Sequence, residues 1–152
     1  MPTKRADSLI SLSHDHHHGL VVCRRVNEGL KRKVDPERIA RYVRDFWVTQ
    51  LSRHFKEEEE WLFVLVSQDD PGIQRALDEH VHIAEVVSQL QHNNDAALLK
   101  SFADQLQAHI RFEERELFQF IQQTVPGKLL AQPAKNLRLE GSLVLWPDKF
   151  WM

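Results

Sequence analysis

The chain has 152 residues, enough for one domain with a substantial core, and 42% of them are hydrophobic while 28% are charged. This composition excludes a disordered chain, and no apolar run reaches the roughly 18 residues that indicate a membrane span. The 20 Lys and Arg nearly balance the 22 Asp and Glu, for a formal net charge of −2, so the basic excess typical of nucleic-acid-binding proteins is missing. We therefore expect neither nucleic acid nor membrane as a partner.

Hydrophobic periodicity predicts four helices in succession, over residues 8–31, 36–66, 71–90 and 96–123. The second and third begin at Asp-Pro pairs, where Asp is a good N-cap and Pro suits the first helical position. Because the connections are short, neighbouring helices should be antiparallel. The expected fold is all-α, an up-down-up-down four-helix bundle over residues 1–123.

The remaining residues, 124–152, have a different character. Pro126-Gly127 should end the fourth helix, Pro133 disfavours a restart, and residues 137–146 have strand-like features. We expect an extended C-terminal tail that packs its apolar side chains on its own bundle. The alternative is an arm that pairs with a second copy and makes a homodimer.

The single cysteine, Cys23, cannot form an internal disulfide, which is typical of a reducing compartment. The first residues contain basic side chains but no long apolar segment, so no signal peptide is expected. These two features predict a cytoplasmic protein. The outlier in the composition is histidine, which occurs nine times.

Each helix carries an apolar stripe that should face the core. The stripe of the second helix is expected to continue through Leu62 and Leu65, and that of the fourth through Leu117 and Phe120. Four histidines and two glutamates lie on these stripes, where hydrophobic residues would be expected. The six residues are His16, His54, Glu58, His80, His109 and Glu113.

Burying imidazoles and carboxylates is costly unless they are paired or bind a metal. Glu58 follows His54 by four residues, and Glu113 follows His109 in the same way. This spacing puts an imidazole and a carboxylate on one helix face, where they could bind one ion or bridge two.

The two His-Glu pairs belong to an internal repeat. Residues 54–63 (HFKEEEEWLF) align without a gap with residues 109–118 (HIRFEERELF), 55 residues apart, and the two segments share the His, two Glu, a Leu and a Phe. The segments Asp15-His16-x-His18 and Glu79-His80-x-His82 also match each other. The chain thus reads as two helical hairpins, each with one acid-His helix and one His-x-x-x-Glu helix, which together bring four His and two Glu to one central point.

This arrangement resembles the hemerythrin-like family, the HHE cation-binding domain, over about residues 8–123. The resemblance implies a four-helix bundle with two non-haem iron ions that are oxo- or hydroxo-bridged. It also implies that His16, His54, His80 and His109 are the imidazole ligands. The bridging carboxylates would be Glu58 and Glu113.

The sequence departs from the oxygen-carrying hemerythrins at Ala76, where their third helix has a further histidine one turn before the position of His80. The missing ligand argues against reversible oxygen carriage. The site is more similar to six-ligand members linked to iron handling, nitric-oxide response and repair of iron–sulfur centres.

Neighbouring residues offer alternative ligands. His17 and His18 compete with His16, His82 competes with His80, and Glu114 competes with Glu113. The apolar stripes favour His16, His80 and Glu113, although the hemerythrins proper use a carboxylate at the spacing of Glu114. Imidazole and carboxylate ligands also suit Mn or Zn. Bridging by two carboxylates is the di-iron or di-manganese pattern, whereas one tetrahedral Zn would leave two of six ligands unused.

The functional expectation is a cytoplasmic di-iron protein that binds a small diatomic ligand, oxygen or nitric oxide, or handles iron under redox stress. One alternative is a di-iron oxidase or peroxidase, although a site with four His and two Glu favours binding over oxidation. Another is a metal-free helical interaction domain whose polar core residues pair with one another.

Overall fold

The computed structural model describes residues 5–131 and 145–152, and it confirms the all-α bundle. The first long helix is α1 (Asp7–Lys31), and the third is α4 (Pro71–Leu90). The second runs over residues 36–65 and contains α2 (Pro36–Phe46) and α3 (Ser52–Glu57), while the fourth runs over residues 96–124 and contains α5 (Ala96–Phe112) and α6 (Phe118–Thr124). Contacts between α1 and α2, α4 and α5, and α1 and α5 complete the four-helix arrangement.

Three aspartates cap the helices that follow the connections. The side chains of Asp35, Asp70 and Asp95 accept backbone N–H groups of the first turn of α2, α4 and α5, at distances between 2.8 and 3.2 Å. Each cap satisfies donors that have no partner within the helix, so these residues fix where the helices begin.

The second and fourth long helices contain π-helical segments, in which one extra residue is accommodated per turn. These segments are Trp47–Leu51, Glu58–Leu62 and Glu113–Leu117. The extra residue rotates the following side chains about the helix axis. The expectation that Phe120 faces the core is therefore wrong: its side chain is 37% exposed, while Phe118 is fully buried, and Leu65 is only half-buried.

The hydrophobic core is divided into two clusters along the bundle. One cluster lies toward the turn between α1 and α2 and contains Val26, Val43 and Phe102. The other lies toward the opposite end and contains Leu12, Phe63 and Phe118. Buried histidine and glutamate side chains occupy the positions between the two clusters. The fold thus holds a polar layer in its interior.

The last eight residues pack on the outside of α1 and α2. Phe150 is buried, and its ring lies so close to Gly29 that a Cβ there would come within 2.7 Å of Phe150 Cδ1. Arg38 forms two hydrogen bonds with Asp148, at 2.6 and 2.9 Å. This segment therefore packs on the chain's own bundle.

Truncation of the Phe150 side chain should destabilise the folded chain. We expect Phe150→Ala to lower the free energy of unfolding by about 3–5 kcal/mol, because it leaves a cavity between Gly29 and Tyr42. Urea titration of the variant and the wild type measures the difference. An unchanged unfolding midpoint would show that the terminal segment adds nothing to stability.

The expected strand-like stretch, residues 137–146, lies almost wholly outside the described residues. Beyond Pro126, where an extended tail was expected, the chain forms one helical turn, α7 (Gly127–Leu130), and buries Leu130. In the part of the chain that the structure describes, no helix combines the length and the apolar character needed to cross a membrane.

Candidate metal centre

The polar layer is built from one histidine of each long helix and one glutamate of the second and fourth. These residues are His16, His54, Glu58, His80, His109 and Glu113, and all six are buried. Glu58 and Glu113 are each the first residue of a π-helical segment. Segments of this kind are frequent at functional sites.

The Nε2 atoms of all four histidines point at the two central glutamates. Glu113 Oε1 lies 2.9 Å from His16 Nε2 and 3.2 Å from His109 Nε2. Glu58 lies 3.2 Å from His54 Nε2 and 3.1 Å from His80 Nε2. The imidazoles thus surround a pair of carboxylates that have no contact with solvent.

The opposite ring nitrogens, Nδ1, meet a second set of carboxylates, which we call the outer carboxylates. In three pairs the Nδ1–O distance is short: 3.0 Å for His54 with Asp15, 2.7 Å for His80 with Glu59 and 2.8 Å for His109 with Glu79. In the fourth pair, His16 Nδ1 lies 3.7 Å from Glu114. A carboxylate only accepts, so Nδ1 carries the proton in the three short pairs. Their Nε2 atoms, which face the central glutamates, are then the ring nitrogens that could bind a metal ion.

The outer carboxylates follow the internal repeat of the sequence. In the pairs His54–Asp15 and His109–Glu79, the acid is the residue just before the histidine of the neighbouring helix. In His16–Glu114 and His80–Glu59, it is the residue just after the central glutamate of the neighbouring helix. The two hairpins thus contribute equivalent halves of the centre.

The buried donors form two groups that could each hold a metal ion. One consists of His16 and His54 with both central glutamates, and the other of His80 and His109 with the same two glutamates. Within each group the potential ligand atoms lie within 4.8 Å of one another. His54 Nε2, His109 Nε2, Glu58 Oε2 and Glu113 Oε2 are buried without a hydrogen-bond partner. Metal ions at these two positions would satisfy them.

The layer also has perturbed acid–base properties. Burial opposes the charge on His54, but the charge of Glu58 and the hydrogen bond to Asp15 outweigh it and raise its pKa to about 9. The same competition, with Glu113 and Glu79 as partners, raises the pKa of His109 to about 10. Burial opposes ionisation of Glu58, yet the surrounding histidines hold its pKa well below its ordinary range. Protons therefore occupy the layer of the metal-free chain at neutral pH.

The competing candidates lie outside both groups. His17 and His82 are exposed, His18 is buried but belongs to neither group, and Glu114 is 28% exposed at the edge of the layer. Ala76 is fully buried in the hydrophobic cluster one turn from His80.

Sequence reasoning did not assign a role to Asp15 and Glu79, which orient His54 and His109. The signal was present, since an acid precedes a histidine in both hairpins. What the sequence did not show is that each acid reaches the histidine of the neighbouring helix rather than its own.

Cys23 lies on the buried face of α1, away from this layer. Burial raises the pKa of its thiol to about 12, so almost no nucleophilic thiolate forms at neutral pH. We expect iodoacetamide to alkylate the folded protein slowly and the urea-unfolded protein rapidly, as measured by mass spectrometry. Equal rates would contradict the buried placement.

The family model for the hemerythrin HHE cation binding domain matches residues 7–121, which include all four long helices almost to their ends and every residue of the layer. Neither the curated proteins nor the solved structures gave a match. Since the family model covers most of the sequence, the chain belongs to the hemerythrin HHE cation-binding domain family.

Proposed function

We propose that this protein holds two iron ions in its polar layer and uses them to bind a diatomic ligand, oxygen or nitric oxide, or to handle iron under redox stress. The observation that carries the proposal is the pair of donor groups that share Glu58 and Glu113. A shared pair of carboxylates suits two adjacent ions of like charge, because the same two glutamates could supply ligands to both.

The donor chemistry fits iron. Each group supplies two imidazole nitrogens and two carboxylate oxygens, without sulfur. Such mixed ligands suit iron, manganese or zinc, and a shared pair of carboxylates favours a di-iron or di-manganese centre over a single zinc. With four protein donors, an ion that prefers six ligands keeps open positions, and iron supplies the redox chemistry and affinity for diatomic molecules there. The outer carboxylates Asp15, Glu59 and Glu79 hold the imidazoles in the orientation and tautomer that ligation requires.

A small cavity favours a diatomic ligand over an organic substrate. It has a volume of about 10 Å³ and lies against His16, His54 and His109. That is room for about one water-sized molecule. The remaining lining is largely apolar, with Phe46, Leu106 and Ile110 among it, and such walls exclude water.

The first experiment is metal analysis with visible spectroscopy of protein produced with iron and purified without chelators. We expect about two irons per chain, as in di-iron bundles, and an absorption spectrum that changes on reduction and on exposure to oxygen or nitric oxide. Zinc alone, or no metal after anaerobic reconstitution with ferrous iron, would contradict the proposal.

The cavity can be tested separately from the metal centre. A Cβ at Gly19 would lie 2.7 Å from Ile110 Cδ1, so Gly19→Ala adds a methyl group to the cavity lining and forces the Ile110 side chain to shift. We expect this variant to keep its iron but to bind nitric oxide more slowly in stopped-flow absorption. An unchanged association rate would show that ligands reach the centre by another path.

A further inference from the structure

The outer carboxylates differ in exposure and in their charged neighbours. The side chain of Glu59 is 43% exposed, against 28% for Glu114, 27% for Glu79 and 18% for Asp15. Glu114 is covered by Arg5, whose Nη2 lies 3.3 Å from its Oε2, and Glu79 accepts a hydrogen bond from Arg75 at 3.0 Å. Among residues 5–131 and 145–152, no lysine or arginine pairs with Glu59.

The surface beside Glu59 is open as far as His80. A groove of about 280 Å³ lies between the second and third long helices and is bordered by Val81 and by Lys56, whose ammonium pairs with Glu60 at 3.9 Å. Both Glu59 and the otherwise buried His80 line it. The groove therefore reaches from solvent to a residue of the polar layer.

His80 connects this groove with the centre. Its Nδ1 contacts Glu59 at 2.7 Å, and its Nε2 contacts Glu58 at 3.1 Å. The ring stacks on Phe55, with 3.9 Å between ring centroids. Only this one imidazole thus separates the exposed carboxylate of Glu59 from a central glutamate.

We propose that Glu59 and this groove form the entrance through which divalent cations exchange between solvent and the buried centre. The inference rests on the proposed function, because an entrance requires a centre that holds metal. The carboxylate of Glu59 attracts and first binds the cation, and His80 lies between it and the final position. At the equivalent place in the other hairpin, the positive charge of Arg5 opposes cations and Ser13 donates a hydrogen bond to Glu114 at 2.9 Å.

The first test measures loading rates with Co²⁺ as the probe. Metal-free protein is mixed with Co²⁺ and the visible absorption of the bound ion is followed by stopped flow. We expect Glu59→Gln to slow loading by about tenfold at low ionic strength, because it removes the attracting charge but keeps an acceptor for His80. Added salt should reduce this difference. Glu116→Gln, which removes an exposed charge from the fourth long helix away from the outer carboxylates, should load at the wild-type rate.

A second variant tests the groove itself. Val81 is 55% exposed, so Val81→Arg should fold normally while placing a long cationic side chain at the groove. We expect slower Co²⁺ loading and, by the same factor, slower release to a chelator, because an obstructed passage changes both rates and leaves the amount bound at equilibrium unchanged. Val81→Thr, which keeps the side-chain shape, should match the wild type.

The outcomes separate the entrance from the centre. Equal loading rates for Glu59→Gln and Glu116→Gln, or unchanged rates in Val81→Arg, would overturn the entrance while leaving the metal centre intact. A wild-type chain that binds neither Co²⁺ nor iron would overturn the proposed function itself.

Discussion

Joint replacement of Glu58 and Glu113 by alanine is expected to abolish iron binding. Both donor groups share these two glutamates, so the double variant loses half of the potential ligands at each position. It also leaves four buried imidazoles without the negative charge that balances a metal ion. The wild type should contain about two irons per chain, the content expected of a di-iron bundle. Metal analysis of the double variant should show none.

The control for this experiment lies on the same two helices. Glu60 and Glu116 are exposed, and the pair Glu60→Ala and Glu116→Ala should keep the full iron content. If the alanine variant does not fold, as judged by circular dichroism, Glu58→Gln with Glu113→Gln removes the charges while retaining the side-chain volume. A folded double variant that still holds two irons would refute the assignment of the centre.

Removal of iron is expected to make thermal stability fall steeply between neutral and strongly alkaline pH. The folded, metal-free chain favours the charged forms of His54 and His109. Their stabilising contribution is complete below the ordinary histidine pKa of about 6.5. It is lost as the pH rises through the folded-state pKa of about 9 for His54 and about 10 for His109.

Calorimetry of the iron-free and iron-loaded forms at a series of pH values measures this effect. In the loaded form the metal holds the imidazoles neutral, so this part of the pH dependence disappears and the two curves diverge as the pH rises. The comparison also subtracts the titration of lysines and tyrosines that both forms share. Parallel curves would mean that the histidines do not exchange protons for metal.

Proton release during loading is a direct consequence of the same exchange. In weakly buffered solution at neutral pH, addition of ferrous iron to the metal-free protein should release protons, which a pH-sensitive dye detects. A His54→Gln variant should release fewer. Loading without any acidification would contradict the protonated state of the empty layer.

The sequence predicted the bundle well because its signals are local. Asp35-Pro36 and Asp70-Pro71 mark helix starts by capping chemistry, and the apolar stripes set which faces are buried. The same stripes predicted that His16 and His80 face the interior, because a residue on a core-facing stripe is buried when the helix is regular. Both side chains are buried in the polar layer.

Sequence reasoning failed where the helices are irregular or where residues meet across helices. The π-helical segments at Glu58 and Glu113 contain neither proline nor glycine, so nothing local predicts the rotation that buries Phe118 and exposes Phe120. The contact of Asp15 with His54 depends on how far α1 is shifted along the second helix. That shift is set by packing of the whole bundle rather than by any short motif.

The matching contributions of the two hairpins have a consequence for the ancestry of the fold. Residues 71–124 alone contain an acid-His helix and a His-x-x-x-Glu helix, so two copies of that hairpin would supply every type of donor in the centre, in the same number. A gene duplication that fused two such copies would yield a bundle of this kind in a single step. After such a fusion each half would be free to diverge, and the pairing of Arg5 with Glu114 on one side and the open groove beside Glu59 on the other are differences of the kind expected.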